Sequence, residues 1–184
     1  MKLYTHLLFS LLLLTLAILI IPLLSNNISL LQGFFNPLFS PIYFIFYMLG
    51  SIFPDIDIAN SYINKKLKIP ALLTKMSFKH RGLFHSLLIP FFLLLLSLAL
   101  SKQPAISLIL ISFSLGIISH VFLDSLTPAG VFLFWPLPIK IKGRIKTSSF
   151  KETLLFITML ILLIIAWLVI LRFWSNIAIK RKKP

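Results

Sequence analysis

Cysteine is absent from the chain, which excludes disulfides and leaves imidazole and carboxylate as the strong side-chain ligands available to a metal. Acid is almost absent too: 4 Asp and Glu stand against 18 Lys and Arg, a formal net charge of +14 over 184 residues. Internal repeats and low-complexity linkers are missing, so nothing marks a boundary between two domains. The centres of the long apolar runs lack Asp, Glu, His, Lys and Arg. Transporters and ion-conducting proteins place such groups near mid-span, so this absence weighs against conduction.

Hydrophobic residues fill the space instead, at 59% of the chain with a mean hydropathy of +1.02. Both values lie far above those of a soluble domain, and they describe an integral membrane protein. A helix needs about 20 apolar residues to cross a hydrocarbon core of about 30 Å. Five runs approach that length: Leu7 to Leu24, Leu38 to Phe53, Leu83 to Leu100, Ile106 to Leu123, and Leu154 to Leu171. The expected fold class is all-α: a polytopic helical membrane protein of about five transmembrane helices, with residues 1–184 forming a single integral membrane domain. The first run reads as a span, since its apolar core exceeds the roughly 7–15 residues of a signal peptide and no A-x-A-like pattern follows it.

A charge of +14 suggests nucleic acid until its distribution is considered. With five crossings, Lys2, the basic residues of 54–82 (Lys65, Lys66, Lys68, Lys75, Lys79, Arg81) and those of 125–153 (Lys140, Lys142, Arg144, Lys146, Lys151) share one side. Lys102, Arg172 and the tail Lys180, Arg181, Lys182, Lys183 are left on the other. The positive-inside rule puts the richer side in the cytoplasm, although the basic tail falls on the opposite side. Lysines beside spans anchor them against anionic headgroups, so membrane lipids, and not nucleic acid, are the expected partners.

Glu152 has a local explanation, because Ser149-Phe150-Lys151-Glu152 is an S-x-x-E capping box opening the last helix. The other carboxylates, Asp55, Asp57 and Asp124, and all four histidines, His6, His80, His85 and His120, lie at the ends of apolar runs. If the first four runs cross as antiparallel neighbours, all seven reach one end of a four-helix bundle. Pro54-Asp55-Ile56-Asp57 closes the second run, where the helix dipole disfavours negative charge and paired carboxylates repel unless a cation joins them. His80 and His85 flank Gly82, whose turn lets both face one point. His120 and Asp124 are four residues apart and share a helical face. Each pair alone is also what a hydrogen-bonded or solvated terminus would look like. Together they indicate a site for divalent metal, Zn²⁺ first, with Mn²⁺, Fe²⁺ or Mg²⁺ also suited. Seven ligands exceed what one ion uses, so two ions sharing a bridging aspartate are the inference from the residues.

These motifs resemble a known family. Thr5-His6-Leu7-Leu8-Phe9-Ser10, Pro54-Asp55-Ile56-Asp57, His80-Arg81-Gly82-Leu83-Phe84-His85-Ser86, and Ser119-His120 through Asp124-Ser125-Leu126-Thr127-Pro128-Ala129-Gly130-Val131, with Trp135-Pro136 following, are similar to those of the YdjM-like membrane-bound metal-dependent hydrolases. The likeness runs from residue 5 to about 136, and Phe84 stands where the family has Thr. It implies an inner-membrane protein distantly related to zinc phospholipases C and P1-type nucleases, with up to three ions.

The function expected is therefore a membrane-embedded hydrolase that uses metal-activated water on a phosphoester, with a lipid phosphate as the favoured substrate class. Arg81 and Asp57 are the candidates for a direct part in catalysis, Arg81 as a phosphate clamp through its planar guanidinium. A metal-binding transporter and a non-catalytic protein with a structural metal are the competing classes. The metal-site core is expected over 5–136, with basic interfacial segments at 58–79 and 131–148 and the last helix and basic tail at 149–184. Trp135 reads as an interfacial anchor, and the alternation of Ile139 to Lys146 around Gly143 predicts a short amphipathic hairpin.

Overall fold

The structure is a computed structural model that describes residues 1–24, 40–57 and 82–181, with side chains described over 1–20, 40–55 and 82–172. Among the described residues there are five α-helices: α1 (Leu3–Leu24), α2 (Ser40–Ile52), α3 (Leu88–Ala99), α4 (Pro104–Ser125) and α5 (Phe150–Arg181). Short 3-10 turns follow α2 (Phe53–Asp57) and precede α3 (Leu83–His85). The protein is an all-α membrane protein.

Windows in three of the helices are long and apolar enough to cross a bilayer: Leu3–Ile20, Pro104–Ser125 and Phe150–Arg172, with mean hydropathies of 2.3, 2.3 and 3.2. The other two are shorter, at 13 residues for α2 and 12 for α3. At 1.5 Å per residue they extend only about 18–20 Å. The run from Leu83 is not one helix, because its first residues form a 3-10 turn that stops at Ser86. There Ser86 Oγ donates to Leu83 O at 2.7 Å and accepts from Leu88 N at 3.3 Å, so the α-helix starts afresh at Leu88. α4 begins with Pro104 in its first turn, where the missing N–H costs nothing.

α4 is the hub, packing against α1, α2 and α3, while α5 packs on α1. Lipid gives helices little hydrophobic reason to associate, so close backbone approach and interhelical hydrogen bonds hold them together. Gly50 of α2 and Gly116 of α4 supply the approach. A Cβ on Gly50 would lie 2.1 Å from Phe113 O, and one on Gly116 would lie 2.2 Å from Tyr47 O. Hydroxyls supply the bonds: Ser10 Oγ and Ser119 Oγ are 2.7 Å apart between α1 and α4, Tyr47 Oη donates to Ser10 O, and Ser114 Oγ donates to Pro90 O. The contact of α5 with α1 is apolar, built from Leu12, Met159 and Leu163.

The α4–α5 connection folds back on itself. Thr127 to Gly130 make a turn, with Gly130 N donating to Thr127 O and Gly130 at φ +63°, a conformation suited to glycine. Val131 and Ile141 then exchange backbone hydrogen bonds at 2.9 and 3.0 Å, and Gly143 N and Ile145 N donate to Thr127 O and Leu126 O. The hairpin predicted to turn at Gly143 is therefore replaced by a wider one. Residues 141–145 form one arm, and their partners are 126–131.

Ala substitutions at Gly50 and Gly116 force backbone apart at the α2–α4 crossing, where overpacking costs about 1–3 kcal/mol. Thermal unfolding in detergent should show each variant well below wild type, with Leu115→Ala, at a side chain 44% exposed, close to wild type. A melting temperature for Gly116→Ala no lower than that of Leu115→Ala would show that the helices have room to spare.

Candidate metal centre

Five of the seven residues picked out by their positions at run ends come together. His6 enters from the second turn of α1, Asp55 from the 3-10 turn after α2, His85 from the turn before α3, and His120 and Asp124 from the last two turns of α4. His6, His85, His120 and Asp124 are each at most 1% exposed, and the Asp55 side chain is 17% exposed. Asp57 ends the 3-10 turn after α2, and its side chain lies outside the described residues, as do His80 and Arg81.

Asp124 is central. Its Oδ1 is 3.3 Å from His6 Nε2 and accepts from the Met1 amino group at 3.0 Å. Its Oδ2 faces His85 Nε2 at 3.6 Å and His120 Nε2 at 3.9 Å. His120 Nε2 is also 3.7 Å from Asp55 Oδ1. The imidazoles of His6 and His120 stack in parallel at 3.9 Å, and His85 meets His120 edge-on.

These separations decide what the cluster can do. The imidazole–carboxylate distances exceed the 2.7–3.2 Å usual for N–H···O hydrogen bonds. Ligand atoms bound to one tetrahedral ion at about 2.0–2.2 Å lie roughly 3.3–3.6 Å from each other. The atoms therefore sit close to the spacing of a shared coordination sphere. His120 is oriented for that purpose: its Nδ1 is 2.7 Å from Ser51 O, which turns Nε2 toward the carboxylates. Nε2 is buried and has no hydrogen-bond partner among the described residues, a cost that a bound cation removes. Two donor groups result, His6 with His120 and Asp124, and Asp55 with His85 and His120, each with its ligand atoms within 4.8 Å of one another. Burial pushes the Asp55 carboxyl above the usual carboxylate range, partly offset by His6 and His85 and reinforced by the Asp124 charge.

Sequence reasoning missed the part played by Glu152. It does cap α5, with Glu152 N donating to Ser149 Oγ and Ser148 N donating to its Oε2. Its Oε1 also accepts from Lys2 N at 2.9 Å and Thr5 Oγ1 at 3.1 Å, which ties the start of α1, and so His6, to the start of α5. The scarcity of acid was the signal available. Ser86, Ser125 and Thr127 serve as turn and cap hydroxyls, each donating to the carbonyl three residues back.

A model of the YdjM inner membrane protein family matches residues 1–181. The chain belongs to this family. Among curated relatives, the inner membrane protein YdjM of Escherichia coli (strain K12) is 40% identical over 93 residues, 48% of this chain and 46% of that protein. The YdjM of Shigella flexneri matches to the same extent, and YvsG of Bacillus subtilis (strain 168) is 32% identical over 108 residues, 58% of this chain and 66% of that protein. The match thus spans about half the length of the YdjM relatives. No solved structure matches the chain.

Replacing Glu152 with Ala leaves the Lys2 N–H and the Thr5 hydroxyl without their acceptor, a loss of about 1–3 kcal/mol for groups this buried. The expected readouts are a lower melting temperature and faster amide exchange at residues 2–6, with α2 and α3 unaffected. Unchanged exchange at residues 2–6 would mean that Glu152 acts on α5 alone.

Proposed function

We propose that the protein is a metal-dependent hydrolase of the inner membrane that cleaves phosphoesters on amphiphilic, lipid-like substrates. The observation that carries the metal reading is His120 Nε2, buried, without a hydrogen-bond partner among the described residues, and aimed between carboxylate oxygens of Asp55 and Asp124. With Nδ1 committed to Ser51 O, His120 has one nitrogen to offer, so it can serve only one of the two donor groups at a time. Asp55, His85 and His120 with Asp124 Oδ2 would hold one ion. His6 and Asp124 Oδ1 face a second position, and the sequence offers Asp57 and His80 as further ligands there. Asp124 would then bridge the two.

Zinc is the favoured ion for an imidazole and carboxylate set without thiolate. A divalent ion at this centre supplies Lewis acidity and lowers the pKa of a contacting water to about 7. The protein's part is to hold the ligands: Ser51 O fixes the tautomer of His120, Glu152 anchors the segment carrying His6, and the neighbouring helices exclude water. Arg81 is the residue suited to binding a phosphate oxygen pair, since guanidinium matches that geometry with two parallel hydrogen bonds. Three membrane-length helices and membership of an inner membrane protein family support the location. The basic residues clustered on the metal side support a cytoplasmic face for the site. The complete burial of His85 and His120 also suits an ion that only binds the helices together, so a structural metal is the second reading.

Elemental analysis of the detergent-purified protein, followed by assay against aryl phosphates and lipid phosphates, tests the proposal. His120→Ala and Asp124→Ala should each lose metal by more than the roughly 10–100-fold that removal of an outer-shell partner costs, and lose cleavage with it. Arg81→Lys should keep its metal while activity drops by about an order of magnitude or more. Full cleavage in both the His120 and Asp124 variants would end the catalytic assignment. Tight metal with no cleavage of any phosphoester would leave the structural reading in its place.

A further inference from the structure

The connection between α4 and α5 holds a surface that the metal centre does not use. From Ser125 to Lys151 the sequence has no acid, and Lys140, Lys142, Arg144 and Lys146 recur at every second position, all exposed. Between and before them lie exposed apolar side chains: Phe134 (53%), Leu137 (54%), Ile139 (55%) and Ile141 (40%). In an extended arm successive side chains point to opposite faces, so Ile139 and Ile141 lie opposite the cations, while Phe134 and Leu137 belong to the turn that precedes the arm. A solvated loop has no need of four large exposed hydrophobics, and a nucleic-acid surface would not place them between its cations.

Position settles what this arm meets. It joins two membrane-length helices, α4 and α5, and so lies at the bilayer surface. The arm is also held in place. Val131 pairs with Ile141, Gly143 N and Ile145 N donate to Thr127 O and Leu126 O, and Leu87 N donates to Leu133 O beside the turn that carries His85. The headgroup layer is roughly 5–8 Å deep on each side, enough for the apolar face to reach the acyl boundary while the cations sit among phosphates. We infer that residues 131–146 form a docking surface for anionic phospholipid headgroups of the surrounding bilayer, with Phe134, Leu137, Ile139 and Ile141 inserted and Lys140, Lys142, Arg144 and Lys146 holding the phosphates. The inference rests on the membrane placement and the arm's charge, and stands whether or not the metal centre is catalytic.

Trp135 lies in the turn that precedes the arm, and the other tryptophans are Trp167 and Trp174, so W167F/W174F turns Trp135 into a single reporter. The full chain is reconstituted in vesicles of phosphatidylcholine with either brominated phosphatidylglycerol or brominated phosphatidylcholine at equal mole fraction. Brominated phosphatidylglycerol should quench Trp135 more strongly, the excess should shrink with added salt, and aqueous iodide should have little effect. Neutralising the arm (K140Q/K142Q/R144Q/K146Q) should remove the excess, since each surface cation is worth roughly a fivefold change in anionic-lipid affinity. Circular dichroism and melting temperature show whether that variant folds; if it does not, the salt-sensitive preference of the W167F/W174F protein decides alone. Equal quenching by the two lipids, an excess that survives neutralisation in a folded variant, or strong iodide quenching without lipid quenching each overturns the proposal. Loss of the excess on adding free inorganic phosphate, beyond the effect of matched ionic strength, overturns it as well, because the arm would then be a soluble-anion site.

Discussion

At membrane depth a buried polar group has no water to turn to, so it must find a protein partner, and several side chains of α4 find theirs on neighbouring elements. The structure follows from how those partners are found. Ser114 reaches α3, Ser119 reaches α1, and His120 reaches the carbonyl of Ser51 where α2 ends. Asp124 then gathers His6, His85 and the Met1 amino group. The polar face of a single helix sets the positions of the other three, and the close approach at Gly50 and Gly116 is what lets the short bonds form.

This arrangement separates two kinds of packing. The α1–α4 group is held by hydroxyls, carbonyls and imidazoles whose geometry is directional. α5 rests on α1 through Leu12, Met159 and Leu163 and presents a long apolar face outward, with Leu160, Ile164 and Leu168 among its exposed side chains. Glu152, at its first turn, gives it a polar link to the start of α1. Slippage along α5 therefore disturbs apolar contacts of low specificity, whereas slippage along α4 breaks hydrogen bonds and moves metal-ligand candidates.

Much of this was legible in the sequence because charged residues are scarce. The spacing of His120 and Asp124 sets both on one helical face, and the run ends bring His6, Asp55 and His85 to the same level without any knowledge of packing. What was hidden is mostly backbone or non-local. A carbonyl such as Ser51 O leaves no mark in sequence, and a break at Ser86 within an apolar run looks like continuous helix until its side-chain oxygen takes the Leu88 amide. Residues 141–145 alternate as a strand would, but their partners lie a dozen or more positions earlier. Glu152 was concealed by a sufficient local explanation, since a capping box accounts for it before any tertiary role is considered.

Glu152 and Asp124 are buried and Asp55 is mostly so, each facing inward toward donors or imidazoles. The protein thereby withdraws most of its few negative charges from its own surface, where 18 lysines and arginines face only 4 acids in the whole chain. Neutrality at that face has to come from the surroundings, from mobile salt within a screening length of about 8 Å or from the leaflet itself. The local ion composition near the candidate metal centre thus depends on the salt and the membrane that surround the protein.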